Sequence, residues 1–276
     1  METINKYINL FRISKLWGRT NINWNNVNED VNILVGINGC GKTTLLNLIS
    51  DFYSGQKIPK SLAADVCGNK IDSKVTYIRS FDVPANAKKK TESMLLQELK
   101  HIINQNGEGT SFFDYRMKML NYPNEAETIR QRIEKFFMLV NRMFAETGKE
   151  IRIDPKNNKL VFSLYNSDND RLATYGNKGG TQLSEAGTDI QLEQLSSGEK
   201  QLMLILTTVF LQEEKPSVLL MDEPEISLHI SWQDCLIELI RNLNPNCQLI
   251  ITTHAPNIFA NGWEDKIVFV KDLEEK

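Results

Sequence analysis

Lys42 and Thr43 close the run Gly36-Ile37-Asn38-Gly39-Cys40-Gly41-Lys42-Thr43, which fits the phosphate-cradling pattern G-x-x-x-x-G-K-S/T. Gly36, Gly39 and Gly41 let backbone N–H groups converge on phosphate oxygens where side chains would clash. Lys42 offers a mobile cation to the β and γ phosphates, the Thr43 hydroxyl is a ligand for Mg²⁺, and Cys40 and Thr44 complete the nucleotide-binding stretch. A second word, Leu219-Leu220-Met221-Asp222-Glu223-Pro224, is an apolar run ending in two acids. Asp222 is placed to hold Mg²⁺, directly or through water, and Glu223 to act as general base toward an attacking water. A third, Thr252-Thr253-His254, ends another apolar run with a residue that can reach a γ-phosphate. The fourth, Leu195-Ser196-Ser197-Gly198-Glu199, opens a helix with small residues and reads either as an anion site or as a plain N-cap. Together the four words imply magnesium-dependent hydrolysis of a nucleoside triphosphate.

The elements that must position these groups follow from hydrophobic patterning. Val31–Val35 is a short buried strand feeding the glycine loop, and Thr43–Tyr53 reads as a helix with Leu45, Leu46, Leu48, Ile49 and Phe52 on its core face. Tyr7–Ile13 alternates as an N-terminal strand, and Val75–Ile78 is another strand. From Leu195 onward the order is helix (Ser197–Gln212), buried strand (Val218–Met221), helix (Ser231–Leu243), buried strand (Gln248–Thr252) and final strand (Lys266–Val270). Strands alternating with helices imply an α/β fold with a mainly parallel sheet covered on both faces. Residues from about 84 to 190 contain none of the four words and read as an inserted, mainly helical, lid-like region within a single domain spanning 1–276. In it, Thr91–Asn104 and Ala126–Glu146 are helical, the latter with Ile129, Ile133, Phe136, Phe137, Val140, Met143 and Phe144 on one stripe that faces a core or a partner. Ile151–Asp154 and Leu160–Tyr165 form a hairpin around 155–158, and the glycine-rich stretch 166–189 reads as a mobile loop.

Composition bounds the rest. A chain of 276 residues with 41% hydrophobic content can bury a full core. It has no apolar run long enough to cross a membrane and no signal-peptide core at its start, so a cytoplasmic protein is expected. Cys40, Cys67, Cys235 and Cys247 lack zinc-ligand spacing, and one sits inside the phosphate loop, which points to a reducing compartment. The net charge of −3 advertises no nucleic-acid binding, and Lys88-Lys89-Lys90 reads as a solvated helix lead-in.

The order of the four words, with Ser196-Ser197-Gly198 ahead of Asp222 and His254 after it, resembles the ATP-binding-cassette superfamily. Within it the chain is similar to the soluble branch of chromosome-maintenance, double-strand-break-repair and overcoming-lysogenisation-defect ATPases. That resemblance covers about 1–82 and 190–276. It implies a P-loop NTPase head with N-terminal antiparallel strands, ATP and Mg²⁺ as ligands, and a homodimer closing face to face around two ATP molecules. On this pattern Ser196, Ser197 and Gly198 meet the γ-phosphate bound by the other copy, and Asn38 matches the family's loop. The chain departs from the family at Ser80-Phe81-Asp82, where a lid glutamine is usual, leaving that contact unassigned. Glu199 stands for a glutamine and His229 for an aspartate of transporter ATPases. Both changes resemble nuclease-associated ATPases of bacterial anti-phage systems such as retron and Septu. Arg12, Lys15 and Trp17 are candidates for the adenine contact.

The leading expectation is therefore an ATP-driven switch that dimerises around ATP and controls DNA handling or a separately encoded effector such as a nuclease, in anti-phage defence. Residues 255–276 are too few for a nuclease domain, so the effector is expected on another chain. The alternatives are the nucleotide-binding subunit of a membrane transporter, which the missing lid glutamine and the Glu225–His229 word disfavour, and a scaffold that binds ATP without turnover, which Glu223 and His254 disfavour.

Overall fold

A computed structural model describes residues 4–63, 65–80, 93–104, 111–154, 159–164 and 189–275. Contacts within the chain separate two units, one of Met1–Val83 with Gln212–Lys276 and one of Pro84–Leu211.

The first unit begins with an antiparallel pair. Phe11, Ile13 and Leu16 are buried on one face of β1 (Phe11–Leu16), which pairs with β2 (Thr20–Trp24). The register shifts between Ile13 and Leu16, and Lys15 and Trp17 there have φ of 51° and 52°. Such conformations cost side-chain-bearing residues on the order of 1–3 kcal/mol each and persist only where surrounding packing imposes them. β3 (Val31–Val35) follows, then the glycine loop, then α1 (Lys42–Tyr53), whose Leu45, Leu46, Leu48 and Ile49 are buried against Leu34, Val218, Leu220 and Ile250. Full burial of each such side chain is worth about 1.5–3 kcal/mol, which anchors the helix directly behind its phosphate-facing end. β4 (Asp65–Gly68) extends the antiparallel sheet along the other edge of β1, and β5 (Lys74–Ile78) enters a parallel sheet.

That parallel sheet is completed by β9 (Ser217–Asp222), β10 (Cys247–Thr252) and β11 (Ile267–Phe269), in the order β11-β3-β10-β9-β5. Every residue of β9 and β10 is buried, as expected of parallel strands covered on both faces. Even the polar Gln248 fits there because its side chain is fully paired: the amide donates to the carbonyls of Ile8 and Asn28 at 2.7 Å, and its oxygen accepts the N–H of Ile8 at 3.0 Å. Beyond the parallel sheet, β12 (Glu274–Glu275) pairs antiparallel with β2. The α/β architecture with a mainly parallel core is the one the alternating pattern predicts, and the N-terminal antiparallel strands are those the resemblance implies.

In the second unit, α2 (Met94–Asn104), α3 (Phe112–Asn121) and α4 (Ala126–Phe144) precede a three-stranded antiparallel sheet of β6 (Lys149–Ile153), β7 (Leu160–Leu164) and β8 (Asp189–Ile190). The unit closes with α5 (Ser197–Phe210), of which only Ser197 and Lys200 are not buried. Ile129, Ile133, Phe136, Val140 and Phe144 of α4 are buried, so most of the predicted stripe faces its own core, with Phe137 and Met143 half-buried. Rings of Phe112, Tyr115, Phe136 and Phe210 cluster with centroids 4.7–5.9 Å apart.

Beyond the strands read from the sequence, β2, β4, β8 and β12 are additions, and further differences have visible causes. The single helix predicted over Ser231–Leu243 is two, α6 (Ile230–Gln233) and α7 (Leu236–Leu243). The break lies where Asp234 accepts side-chain amides from Asn257 on its carboxylate and from Asn261 on its carbonyl. The last strand stops at Phe269, and Val270–Leu273 turns as a short 3₁₀ segment to reach β12. α3 is an addition to the expected elements; its cap is Ser111, whose hydroxyl accepts the N–H of Asp114 at 3.1 Å. The hairpin turn 155–158, the stretch 165–188, Lys88-Lys89-Lys90, Phe81 and Asp82 lie outside the described residues. Among the described residues no helix is long and apolar enough to cross a membrane, and the four cysteines are free thiols.

Candidate functional site

The glycine loop joins β3 to α1 at the carboxyl edge of the parallel sheet, where open α/β sheets place ligands. Gly41 caps α1 with φ of 96°, and a Cβ added to it would stand 2.6 Å from the Trp17 ring, so both conformation and space require glycine. α1 has no side-chain cap and no acid in its first turn. Its leading N–H groups are thus available to an anion, and the helix dipole favours one. Asn38 and Gly39 are exposed at the crest of the loop, with Gly36 and Cys40 half-buried at its feet and Thr44 half-buried near the start of the helix.

Lys42 is buried, and its ammonium is 3.0 Å from the carbonyl of Gly36 and 2.7 Å from Nε2 of His254. A lysine ammonium can only donate, so Nε2 accepts and the ring is neutral with its proton on Nδ1. The 3.4 Å approach of Glu223 Oε1 to the same nitrogen is then not an ion pair. Main-chain carbonyl and neutral ring are groups that Lys42 can exchange for phosphate oxygens.

Thr43, next on α1, donates its hydroxyl to Oδ1 of Asp222 at 3.1 Å. The same oxygen accepts the hydroxyl of Thr252 at 2.6 Å, which fixes the carboxylate at the end of β9 by a residue of the adjacent strand. Among the described residues no group of three or more acidic, His or Cys side chains could cage a metal. Two hard oxygens with phosphates and water completing the shell is the arrangement that suits Mg²⁺, and Thr43 with Asp222 fits it. Glu223 follows with φ of 48°, its N–H held by the carbonyl and hydroxyl oxygens of Thr252 at 3.0 and 3.2 Å. This left-handed residue, in the sparsely populated region typical of functional sites, leaves the carboxylate partly exposed beside His254.

One contributor has no assignment from sequence. Oε1 of Glu225 accepts the hydroxyl of Thr253 at 2.7 Å and the N–H of His254 at 2.9 Å. Its Oε2 is buried without a hydrogen-bond partner. Glu225 thereby ties the turn after β9 to the turn after β10 and sets where His254 sits. The only sequence signal is that an acid follows Pro224, which carries no information about its partner.

Of the adenine candidates, Arg12 is committed to Asn23 and Asn25, and the N–H of Lys15 to Asn21. Trp17 is the one whose ring reaches the glycine loop, at Gly41, while remaining 41% exposed.

The first unit thus brings together Lys42, Thr43, Asp222, Glu223 and His254. Ser196, Ser197, Gly198 and Glu199 form a separate group in the second unit. Ser196 and Ser197 are exposed at the start of α5, whereas Gly198 and Glu199 are buried. Of the two readings of this word, anion site or N-cap, Glu199 serves the N-cap. Its carboxylate is turned inward, accepting the N–H of Ser196 at 2.8 Å and Lys149 at 2.6 and 2.8 Å, while the Ser196 hydroxyl accepts the N–H of Glu199. Burial by itself would raise the Glu199 carboxyl, but hydrogen bonds from Lys149 and the Ser196 N–H, with the charge of Lys149, outweigh it and hold the group below the ordinary range.

A family model described as "AAA domain, putative AbiEii toxin, Type IV TA system" matches residues 117–260, just over half of the chain. The Septu protein PtuA of Bacillus thuringiensis is 22% identical over 290 residues, covering 84% of this chain and 68% of that protein. The Retron Vc95 probable ATPase of Vibrio cholerae serotype O1 biovar El Tor is 27% identical over 99 residues, which is 32% of this chain and only 19% of that protein. Among solved structures, an Smc head bound to the C-terminal winged-helix domain of ScpA superposes with a TM-score of 0.53 at 15% identity, covering 95% of this chain and 93% of the other. The Smc head with extended coiled coil from Pyrococcus furiosus gives 0.51 at 12% identity, with coverage of 95% and 93%.

Proposed function

The chain belongs to this family of AAA domains and is an ATP-binding-cassette-type ATPase of the soluble branch, and from that premise we propose that it is an ATP-hydrolysing switch in which two copies close around Mg-ATP. The observation that carries the reading is the convergence of Lys42, Thr43, Asp222, Glu223 and His254 at one edge of one parallel sheet.

The triphosphate is received by the uncapped start of α1 and the glycine loop, with Lys42 moving from its carbonyl and imidazole partners onto phosphate oxygens. Thr43 and Asp222 would hold Mg²⁺, which supplies charge neutralisation on the phosphates. Glu223, partly exposed and next to His254, takes the proton of the attacking water, and Nε2 of His254, freed when Lys42 moves, carries the ring proton in the other tautomer and donates toward the γ-phosphate from a position set by Glu225. Trp17 offers a stacking face to the base beside Gly41. Ser196 and Ser197, exposed at the N-terminus of α5, face the γ-phosphate bound by the second copy. Likeness to the Septu and retron proteins supports a role in anti-phage defence, with opening and closing of the dimer controlling a separately encoded effector such as a nuclease, or DNA handling.

Glu223→Gln tests the reading, because it keeps the side-chain shape and removes its basicity. Turnover should fall by ~10²–10⁴ while ATP affinity by calorimetry is retained, and an ATP-dependent dimer should accumulate on sizing chromatography. Turnover at the parental rate would remove Glu223 as the base.

A further inference from the structure

The segment from α4 to β6 grips both ends of the helix that begins with Ser196 and Ser197. At its C-terminal end, Arg132 of α4 donates to the Phe210 carbonyl at 3.2 Å, and its guanidinium lies 5.3 Å over the Tyr115 ring and 5.4 Å over the Phe210 ring. At its N-terminal end, Lys149, the first residue of β6, places its ammonium 2.6 and 2.8 Å from the two carboxylate oxygens of Glu199. The Glu199 side chain is 2% exposed and that of Lys149 18%. Only a short 3₁₀ turn, Ala145–Thr147, and Gly148 separate α4 from β6.

Glu199 closes a capping box: its carboxylate accepts the Ser196 N–H, and the Ser196 hydroxyl accepts the Glu199 N–H. A carboxylate this buried is tolerated only when its charge is matched, and Lys149 matches it. Without Lys149 the ionised carboxylate would turn toward water, and that movement opens the box that fixes Ser196 at the helix start.

We infer that Lys149 is a positioning residue for the Ser196-Ser197 pair, coupling the placement of these two serines to the inserted α4–β6 segment through Glu199. The inference rests on the reading that the serines meet the ATP held by a second copy. The inserted region thereby gains a role in the shared site. Whatever displaces β6 alters the capping box, and with it the competence of that site, without touching the glycine loop.

The test uses the full chain with Lys149→Met, Lys149→Arg, the double variant Lys149→Met with Glu199→Gln, and Ser196→Arg. Turnover, KM and melting temperature are read for each, with ATP affinity by calorimetry. Lys149→Met should lose roughly tenfold or more in kcat, the loss expected if about 1.4 kcal/mol of serine placement is withdrawn from the transition state, with ATP affinity unchanged. Lys149→Arg should keep most of the activity. The double variant should regain it, because the neutral amide that replaces the carboxylate still accepts the Ser196 N–H and leaves no unmatched charge. The melting temperatures separate positioning from a plain loss of folded protein, because a kcat that falls while Lys149→Met stays folded at the assay temperature is a positioning effect; if Lys149→Met does not fold, the arginine and double variants decide. Parental kcat in Lys149→Met, or a double variant as inactive as the single, overturns the role of Lys149 while an inactive Ser196→Arg leaves the shared-site reading standing. Full activity in Ser196→Arg instead overturns the shared-site reading, and the inference with it.

Discussion

Removing the side chain of Glu225 should damage catalysis without touching ATP binding. Its Oε1 accepts two hydrogen bonds, from Thr253 Oγ1 at 2.7 Å and from the N–H of His254 at 2.9 Å, and these set the turn that carries the imidazole. Hydrogen bonds to a charged acceptor contribute about 1.5–3 kcal/mol each, so Glu225→Ala withdraws enough to release the turn. If about 1.4–2.8 kcal/mol of that is lost from placement of His254 in the transition state, kcat falls by ~10- to 100-fold. Glu225→Gln should cost far less. It keeps an oxygen at Oε1, and its amide replaces Oε2, an atom already buried without a partner. Phosphate release at saturating ATP, with calorimetry for binding, separates the two effects. Parental kcat in Glu225→Ala, or an equal loss in the Gln and Ala variants, would refute the argument.

Gly41→Ala should weaken ATP binding and lower the melting temperature, since φ of 96° disfavours a side chain and the new Cβ would meet the Trp17 ring at 2.6 Å; calorimetry with unchanged affinity would contradict this. The Glu199 carboxyl is held below its ordinary range when folded, so its contribution to stability is fully present above that range and is lost as pH falls through the lower folded value. The melting-temperature advantage of the parent over Glu199→Gln should therefore shrink on acidification, and an advantage that persists or grows would contradict the pairing with Lys149.

The parts of the site that the sequence reveals are those governed by local rules. β3, β9 and β10 are mainly apolar runs too short for helices, each ending in a polar word, and such runs become strands buried on both faces. The glycine loop is legible because its spacing serves backbone geometry. α3 is faint because it buries only Phe112 and Tyr115, too little for a clear period, although Ser111 and Asp114 mark its cap. β4, with Asp65 and Cys67 exposed, is a strand only because β1 pairs with it. The break between α6 and α7 depends on Asn257 and Asn261, residues beyond the next strand. Glu225 and Lys149 are invisible for the same reason. Their meaning lies in contacts with Thr253, His254 and Glu199, which no local period encodes.

The most direct measurement of the central claim, that each active site is shared between two copies, mixes Ser196→Arg with Lys42→Ala. Each variant alone should be inactive, the first for want of a competent serine pair and the second for want of the phosphate-loop cation. A mixed dimer joins one intact glycine loop to one intact serine pair, so at equal mixing about half of the dimers carry one working site and turnover should recover to about a quarter of the parental rate. No recovery despite mixed dimers on sizing chromatography, or a Ser196→Arg protein that dimerises with ATP and hydrolyses it normally by itself, would contradict the shared site.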